Sequence, residues 1–189
     1  TIQIGTQIWM AENLRTTKLN DGTLISHVTD DLEWENHTIP GYCWYNNDPS
    51  SFRDTYGALY NWYTTNTGKI CPTGWHVPTN AEWIILSGYL GIDAGGKMKE
   101  TGTTSWVNPN TGASNISGFT AIPGGSRALY HLEYGYSTFS FLGYTSSLWS
   151  VTEYNNDVGY AARLYFTVSN FNVFRTGKNE GLSVRCLKD

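Results

Sequence analysis

The segment Cys71-Pro-Thr-Gly-Trp-His-Val-Pro-Thr-Asn-Ala-Glu-Trp83 constrains the fold most, because it sets a cysteine, a Gly-Trp turn and a complete helix start side by side. Thr79 stands three residues before Glu82, the spacing at which each side chain satisfies an orphan backbone N–H of the first turn, a capping box. Pro78 keeps the preceding chain out of the helix. Trp83, Leu86 and Leu90 recur at helical spacing and Gly91 offers a left-handed stop, which together predict one amphipathic helix packed on a larger body. Gly88 lowers its regularity.

At 189 residues the chain, read as a single domain over 1–189, is long enough to bury a core without relying on cross-links. Eight Trp and thirteen Tyr, with only 15% charged residues, predict a polar Asn/Ser/Thr/Gly surface carrying large ring-bearing faces, a composition common in secreted binding proteins. The net charge is -4 and no Lys/Arg cluster occurs, which argues against a nucleic-acid partner. No apolar run approaches the length that spans a bilayer, so no direct membrane insertion is expected. The first residues already alternate as folded chain, and any leader, anchor or fusion partner would lie outside the sequence. Three cysteines permit one disulfide and one leftover thiol, and the sequence leaves all three pairings open.

Residues 2–10 alternate through Gly5-Thr6 and predict a short hairpin. Residues 20–53 read mostly as loop, with turns at Asn20-Asp21-Gly22 and Asn46-Asn47-Asp48-Pro49 and a brief buried strand over 42–45. Tyr56, Leu59, Tyr60 and Tyr63 recur at three- and four-residue steps, predicting a helix that ends near Asn66-Thr67-Gly68. From Ala94 to Gly118 the chain is irregular, with Trp106 as the plug that pins it to the core. Strands are expected over 148–151, 162–168, 172–175 and 182–187. In the second of these, Ala162, Leu164, Phe166 and Val168 should face the core, leaving Arg163, Tyr165 and Thr167 to solvent or ligand.

Seven motifs occur in order: Trp9-Met-Ala-Glu-Asn-Leu14, Tyr42-Cys-Trp-Tyr-Asn-Asn-Asp48, Tyr56-Gly-Ala-Leu-Tyr-Asn-Trp-Tyr63, the Cys71–Trp83 segment, Gly118-Phe-Thr-Ala-Ile-Pro-Gly-Gly125, Trp149-Ser-Val-Thr-Glu-Tyr154 and Ser183-Val-Arg-Cys186. This series resembles the Fibrobacter succinogenes major paralogous domain family over essentially the whole chain. That family is similar to the formylglycine-generating enzyme fold, a variant of the C-type lectin fold, and is abundant in surface and secreted proteins of Bacteroidetes and Fibrobacteres. The resemblance implies an α+β, C-type lectin-like domain: two helices beside small twisted antiparallel sheets, with long loops away from the termini. It also implies an extracellular or cell-surface setting within a larger protein. A disulfide between Cys71 and Cys186 follows from the same resemblance, with Cys43–Cys71 as the alternative and Cys43 otherwise a buried thiol among Tyr42, Trp44 and Tyr45.

The enzyme relative uses a cysteine pair near its C-terminus, whereas Cys186 stands alone there, so formylglycine-type oxidation ranks last and no catalytic residue is assigned. His27, His37, His76 and His131 lack zinc-site spacing, and His76 in its Gly-Trp-His-Val-Pro turn reads as a structural hydrogen-bonding residue. Relatives of this fold often hold calcium; the groups available are Asn46, Asn47 and Asp48, and Glu153, Asn155, Asn156 and Asp157, with Glu153, Asn155 and Asp157 the preferred ligands of a possible structural calcium. Both groups read equally as turns. A binding face is expected from Tyr154, Asn155, Asn156, Asp157, Tyr160, Arg163, Tyr165, Phe171, Asn172, Phe174 and Arg175, since Tyr, Asn and Arg on a rigid platform give contact area and adaptable hydrogen bonding. Phe171 and Phe174 fit a core role equally well. The expectation is a non-catalytic ligand-binding or adhesion domain for a surface glycan or protein. The alternative is a structural module of a larger surface or phage tail protein. The Trp149-Ser150 start and the Ser183-Val-Arg185 close also resemble the variable segment of diversity-generating retroelement proteins.

Overall fold

The structure, a computed structural model, describes residues 1–128 and 138–189; His131 lies outside the described residues. It is mixed α+β, with short helices and several small sheets. The predicted N-terminal hairpin forms, β1 (Ile2–Ile4) and β2 (Gln7–Trp9) turning at Gly5. Two later strands extend it: β12 (Leu187–Lys188) lies between β2 and β6 (Trp75–His76), with Leu187 opposite Trp9 on one side and His76 on the other. A second sheet pairs β3 (Ser26–His27), β4 (Gly41–Cys43) and β5 (Leu59–Tyr60), and a ribbon joins β7 (Gly124–Arg127) to β8 (Phe139–Leu142). The largest sheet is β9 (Thr145–Glu153), β10 (Val158–Tyr165) and β11 (Asn172–Gly177), with β10 in the middle.

The capping box builds the helix it predicts. In α4 (Asn80–Leu90), Thr79 Oγ1 accepts from the Glu82 backbone N–H, while the Glu82 carboxylate accepts from the N–H of Thr79 at 2.7 Å. Trp83, Leu86 and Leu90 are its buried residues. Gly91 ends it at φ 86, ψ -164, an extended mirror-region conformation rather than the left-handed helical one expected.

The helix predicted through Tyr56–Tyr63 is corrected. The chain instead forms α2 (Pro49–Tyr56), breaks at Gly57 (φ 76, ψ -166), runs as strand β5, and re-enters a short α3 (Trp62–Thr65). The aromatic spacing misleads because everything from Gly57 to Trp62 is buried on all sides, so apolar residues recur without a helix beneath them. The loop reading of 20–53 misses two helices. Asp30 caps α1 (Asp31–Glu35), and Asp48, in the stretch read as a turn, caps α2 by accepting from the N–H groups of Ser50 and Ser51.

The segment 182–187 is extended but makes only isolated bridges before β12, because it threads between elements rather than joining one sheet. Leu182 exchanges backbone hydrogen bonds with Tyr60, Ser183 meets Ser147 and Trp149, and the carbonyls of Val184 and Cys186 accept from Leu14 and Met10. Leu182, Val184 and Cys186 share one core cluster as their alternation predicts, yet Ser183 and Arg185 are buried as well. Cys186 is bonded to Cys71, the pairing the resemblance implied, while Cys43 is free and buried.

Indole N–H donors tie the core together. Trp34 donates to the Asn179 carbonyl, Trp62 to Ser150, Trp149 to Tyr60, and Trp106 to Ala121, so Trp106 pins the 94–118 region as expected. That region also holds α5 (Ala94–Met98), and its next residue, Lys99, is wholly buried. The Lys99 ammonium donates to the carbonyls of Thr111 at 2.8 Å, Tyr165 at 3.0 Å and Val168 at 2.9 Å, which locks the region to the end of β10. Burial lowers the pKa of this amine to about 8.

Candidate functional site

The register of the β9–β10–β11 sheet decides which of the expected binding residues act together. Tyr160 pairs with Arg175, Ala161 with Phe174, Ala162 with Val173 and Arg163 with Asn172. Alternation then places Tyr160 and Arg175 on one face and Arg163, Tyr165, Asn172 and Phe174 on the other. The single face expected from sequence is therefore two. The expected alternation holds for Ala162, Leu164 and Phe166, which pack in one core cluster, and for the partly exposed Arg163 and Tyr165, but β10 ends at Tyr165 and Val168 is exposed. Ala161 is buried too, in another cluster, because the sheet is packed on both faces in its middle.

On the first face, the Arg175 guanidinium lies 4.4 Å from the Tyr154 ring centroid, and Tyr154 meets Tyr160 edge-on at 5.8 Å. The middle of this face is covered by α4. Phe171 lies 5.9 Å from Trp83 and belongs to the core beneath the helix, which removes it from the binding set.

The turn between β9 and β10 gives its polar groups to its own structure. Asn155 Oδ1 accepts from the N–H groups of Asp157 at 3.0 Å and Val158 at 2.9 Å. Glu153 pairs with the buried ammonium of Lys178, which also donates to the Asn156 carbonyl at 2.8 Å and lies 4.3 Å from the Trp62 ring. Of the side chains expected to ligate calcium, Glu153, Asn155 and Asp157, the first is thus engaged by Lys178 and the second by backbone N–H groups of its own turn. A lysine ammonium occupies the position between the Glu153 carboxylate and the Asn156 carbonyl. In the other group, Asp48 is consumed by the α2 cap. Among the described residues no cluster of three or more His, Cys, Asp or Glu side chains is placed to hold a metal.

On the second face, Phe174 rests against the core cluster around Trp149, and the Arg163 guanidinium stacks on its ring at 3.8 Å. Arg163 Nε donates to Ser147 Oγ at 2.9 Å, fixing the guanidinium across the sheet. Beside it lies a hollow of about 260 Å³ lined by Phe141, Tyr144, Thr145, Arg163, Tyr165 and Phe166. Phe141 and Tyr144 are exposed, and Phe141 holds φ 65, a conformation that bulky side chains rarely adopt. Of the residues lining this hollow, sequence reasoning found Arg163 and Tyr165 and missed the β8–β9 turn. The available signal was Phe141-Leu-Gly-Tyr144, a glycine turn flanked by rings.

Two further groups are settled by their surroundings. His76 bridges Asp189 at 2.6 Å and Glu82 at 3.0 Å, the structural hydrogen-bonding role expected of it. Burial pushes the Cys43 thiol up to about 12, so it is held as a neutral thiol.

A disulfide-tied α+β domain, with a twice-packed antiparallel sheet presenting an aromatic hollow, defines the class of this molecule. The chain belongs to the Fibrobacter succinogenes major domain family, whose model matches residues 2–188. No curated protein and no solved structure matches it.

Proposed function

We propose that this chain is a non-catalytic, extracellular ligand-binding domain of a larger surface protein, and that it takes a surface glycan at the Arg163 face. The observation that carries the reading is the hollow itself: a concave patch walled by Phe141, Tyr144 and Tyr165, with a fixed guanidinium at its side. A few convergent polar groups among aromatic walls are what orient a small ligand, and exposed rings stack on sugar faces at low entropy cost. Three observations support the rest. Pairing of Cys71 with Cys186 fits an oxidising compartment. With that bond made and Cys43 buried, no free thiol pair is left for formylglycine-type oxidation. N- and C-terminal strands meeting in one sheet, with helices at its flank, support the C-type lectin-like assignment. The outward positions of β10 and β11 are those a diversity-generating retroelement would rewrite, and a template repeat in the source DNA tests that directly.

The test is a glycan array probed with the purified domain, with and without a calcium chelator, beside a Tyr144→Ala/Tyr165→Ala variant. Saturable binding that the variant loses and the chelator leaves intact is expected. A blank array moves the assignment to a protein partner or a structural module.

A further inference from the structure

We infer that the hollow beside Arg163 selects an acidic sugar, with the guanidinium receiving the carboxylate of a hexuronate whose ring lies against the aromatic walls. The inference rests on the proposed binding role of this face and adds the chemistry of its ligand.

Three features of the site lead to it. The first is an unpaired charge. Among the described residues, Arg15, Arg53 and Arg127 each have a carboxylate partner, and the buried Arg185 donates from all three nitrogens to Asn13 and to the carbonyls of Phe119 and Thr120. Arg163 has no carboxylate partner among the described residues. Its Nε is bound to Ser147, its Nη1 reaches Tyr165 Oη only at 3.5 Å, and Nη2 has no hydrogen-bond partner among the described residues. Stacked on Phe174, the guanidinium is held in one plane with an edge left over. A planar fork of N–H donors matches a carboxylate bidentately, and holding it in advance reduces the entropy lost on binding.

The second feature is an orphaned hydroxyl. Thr145 is 4% exposed and lines the same hollow, and its Oγ1 has no hydrogen-bond partner among the described residues. As placed this oxygen is closed to solvent, and a rotation about χ1 would turn it into the hollow, where a ligand oxygen or hydroxyl would satisfy it. The third is the wall. A volume of about 260 Å³ suits one pyranose unit rather than a drug-sized molecule, and Phe141 is held in it at φ 65 despite the cost of that backbone. Arg175 on the opposite face also has no carboxylate partner among the described residues, but its guanidinium is stacked on Tyr154, so charge alone does not single out the site.

Titration calorimetry tests the assignment with a panel of di-uronates (galacturonate, glucuronate, mannuronate), their neutral hexose counterparts and an acidic peptide with a free C-terminus. The proteins are the whole domain and its Arg163→Gln, Arg163→Lys and Tyr144→Ala variants, each checked for an unchanged near-ultraviolet spectrum. At least one di-uronate should bind ten or more times tighter than its neutral counterpart, and less tightly as salt rises. Arg163→Gln should erase that preference, Arg163→Lys should keep part of it, and Tyr144→Ala should weaken acidic and neutral sugars alike. Equal binding of acidic and neutral sugars, both sensitive to Tyr144→Ala, overturns the uronate inference and leaves the binding face standing. A preference that survives Arg163→Gln overturns it too, by assigning the carboxylate to another cation. Binding of the peptide alone, or of nothing in the panel, also overturns it.

Discussion

At the scale of single residues, the chain uses polar groups to fasten segments, and their pH response follows. Burial disfavours the charged form of His76, but its hydrogen bonds to Asp189 and Glu82 outweigh this and raise its pKa. Burial likewise works against the Glu82 carboxylate, and hydrogen bonds from Thr79 and His76 outweigh it and lower its pKa. The His76 contribution is therefore full below the unfolded value of about 6.5 and is lost as pH rises through the raised folded value. The Glu82 contribution is present above about 4.3 and is lost as pH falls through the lowered one. Thermal midpoints of His76→Gln and the parent, measured from pH 4 to 9, should differ most near pH 5–6 and converge toward pH 9. A constant gap would mean that the contacts act only by packing. The thiol count is a second residue-scale outcome: the native protein should resist alkylation, the unfolded protein should show one reactive thiol, and the unfolded, reduced protein three.

At the scale of elements, two glycines with the same backbone make a controlled comparison. Gly57 (φ 76, ψ -166) ends α2 and Gly91 (φ 86, ψ -164) ends α4, but a Cβ at Gly57 would meet the Leu14 carbonyl at 2.6 Å while one at Gly91 meets nothing within 4 Å. Gly91→Ala should cost only the strain of that conformation, about 1–3 kcal/mol. Gly57→Ala should cost measurably more in denaturant unfolding, and equal costs would show that the Leu14 contact relaxes freely. The same two sites show what the sequence reveals. The Thr79–Glu82 box and Gly91 are local signals, so α4 is legible to within its ends. The break at Gly57 is imposed by Asn13 and Leu14 crossing over it, a contact more than forty residues away that no local period records. Asp48-Pro49 is a helix start as good as Thr79, and it is obscured by the Asn-Asn turn before it.

At the scale of the whole molecule, the C-terminal segment stitches the sheets together and the disulfide fixes it. The bond closes a separation of 115 residues, for which the chain-entropy relation gives roughly 5 kcal/mol of stabilisation. Reduced protein, or Cys71→Ser, should accordingly lose a large part of its stability in urea, while a chelator should leave the thermal midpoint unchanged because Lys178 satisfies Glu153. The disulfide was legible through the family motifs, and the late strands through the alternation of their residues. Strand parity separates Tyr160 from Arg163 and Tyr165, but which β11 residues join each face is set by the β10–β11 register, a tertiary pairing that no local pattern records. That division is the central claim, and one comparison tests it most directly: binding of array-selected glycan by Tyr165→Ala, in the hollow, against Tyr154→Ala, on the opposite face. The account predicts loss of binding in Tyr165→Ala and parental affinity in Tyr154→Ala; loss in Tyr154→Ala with Tyr165→Ala unaffected would contradict it.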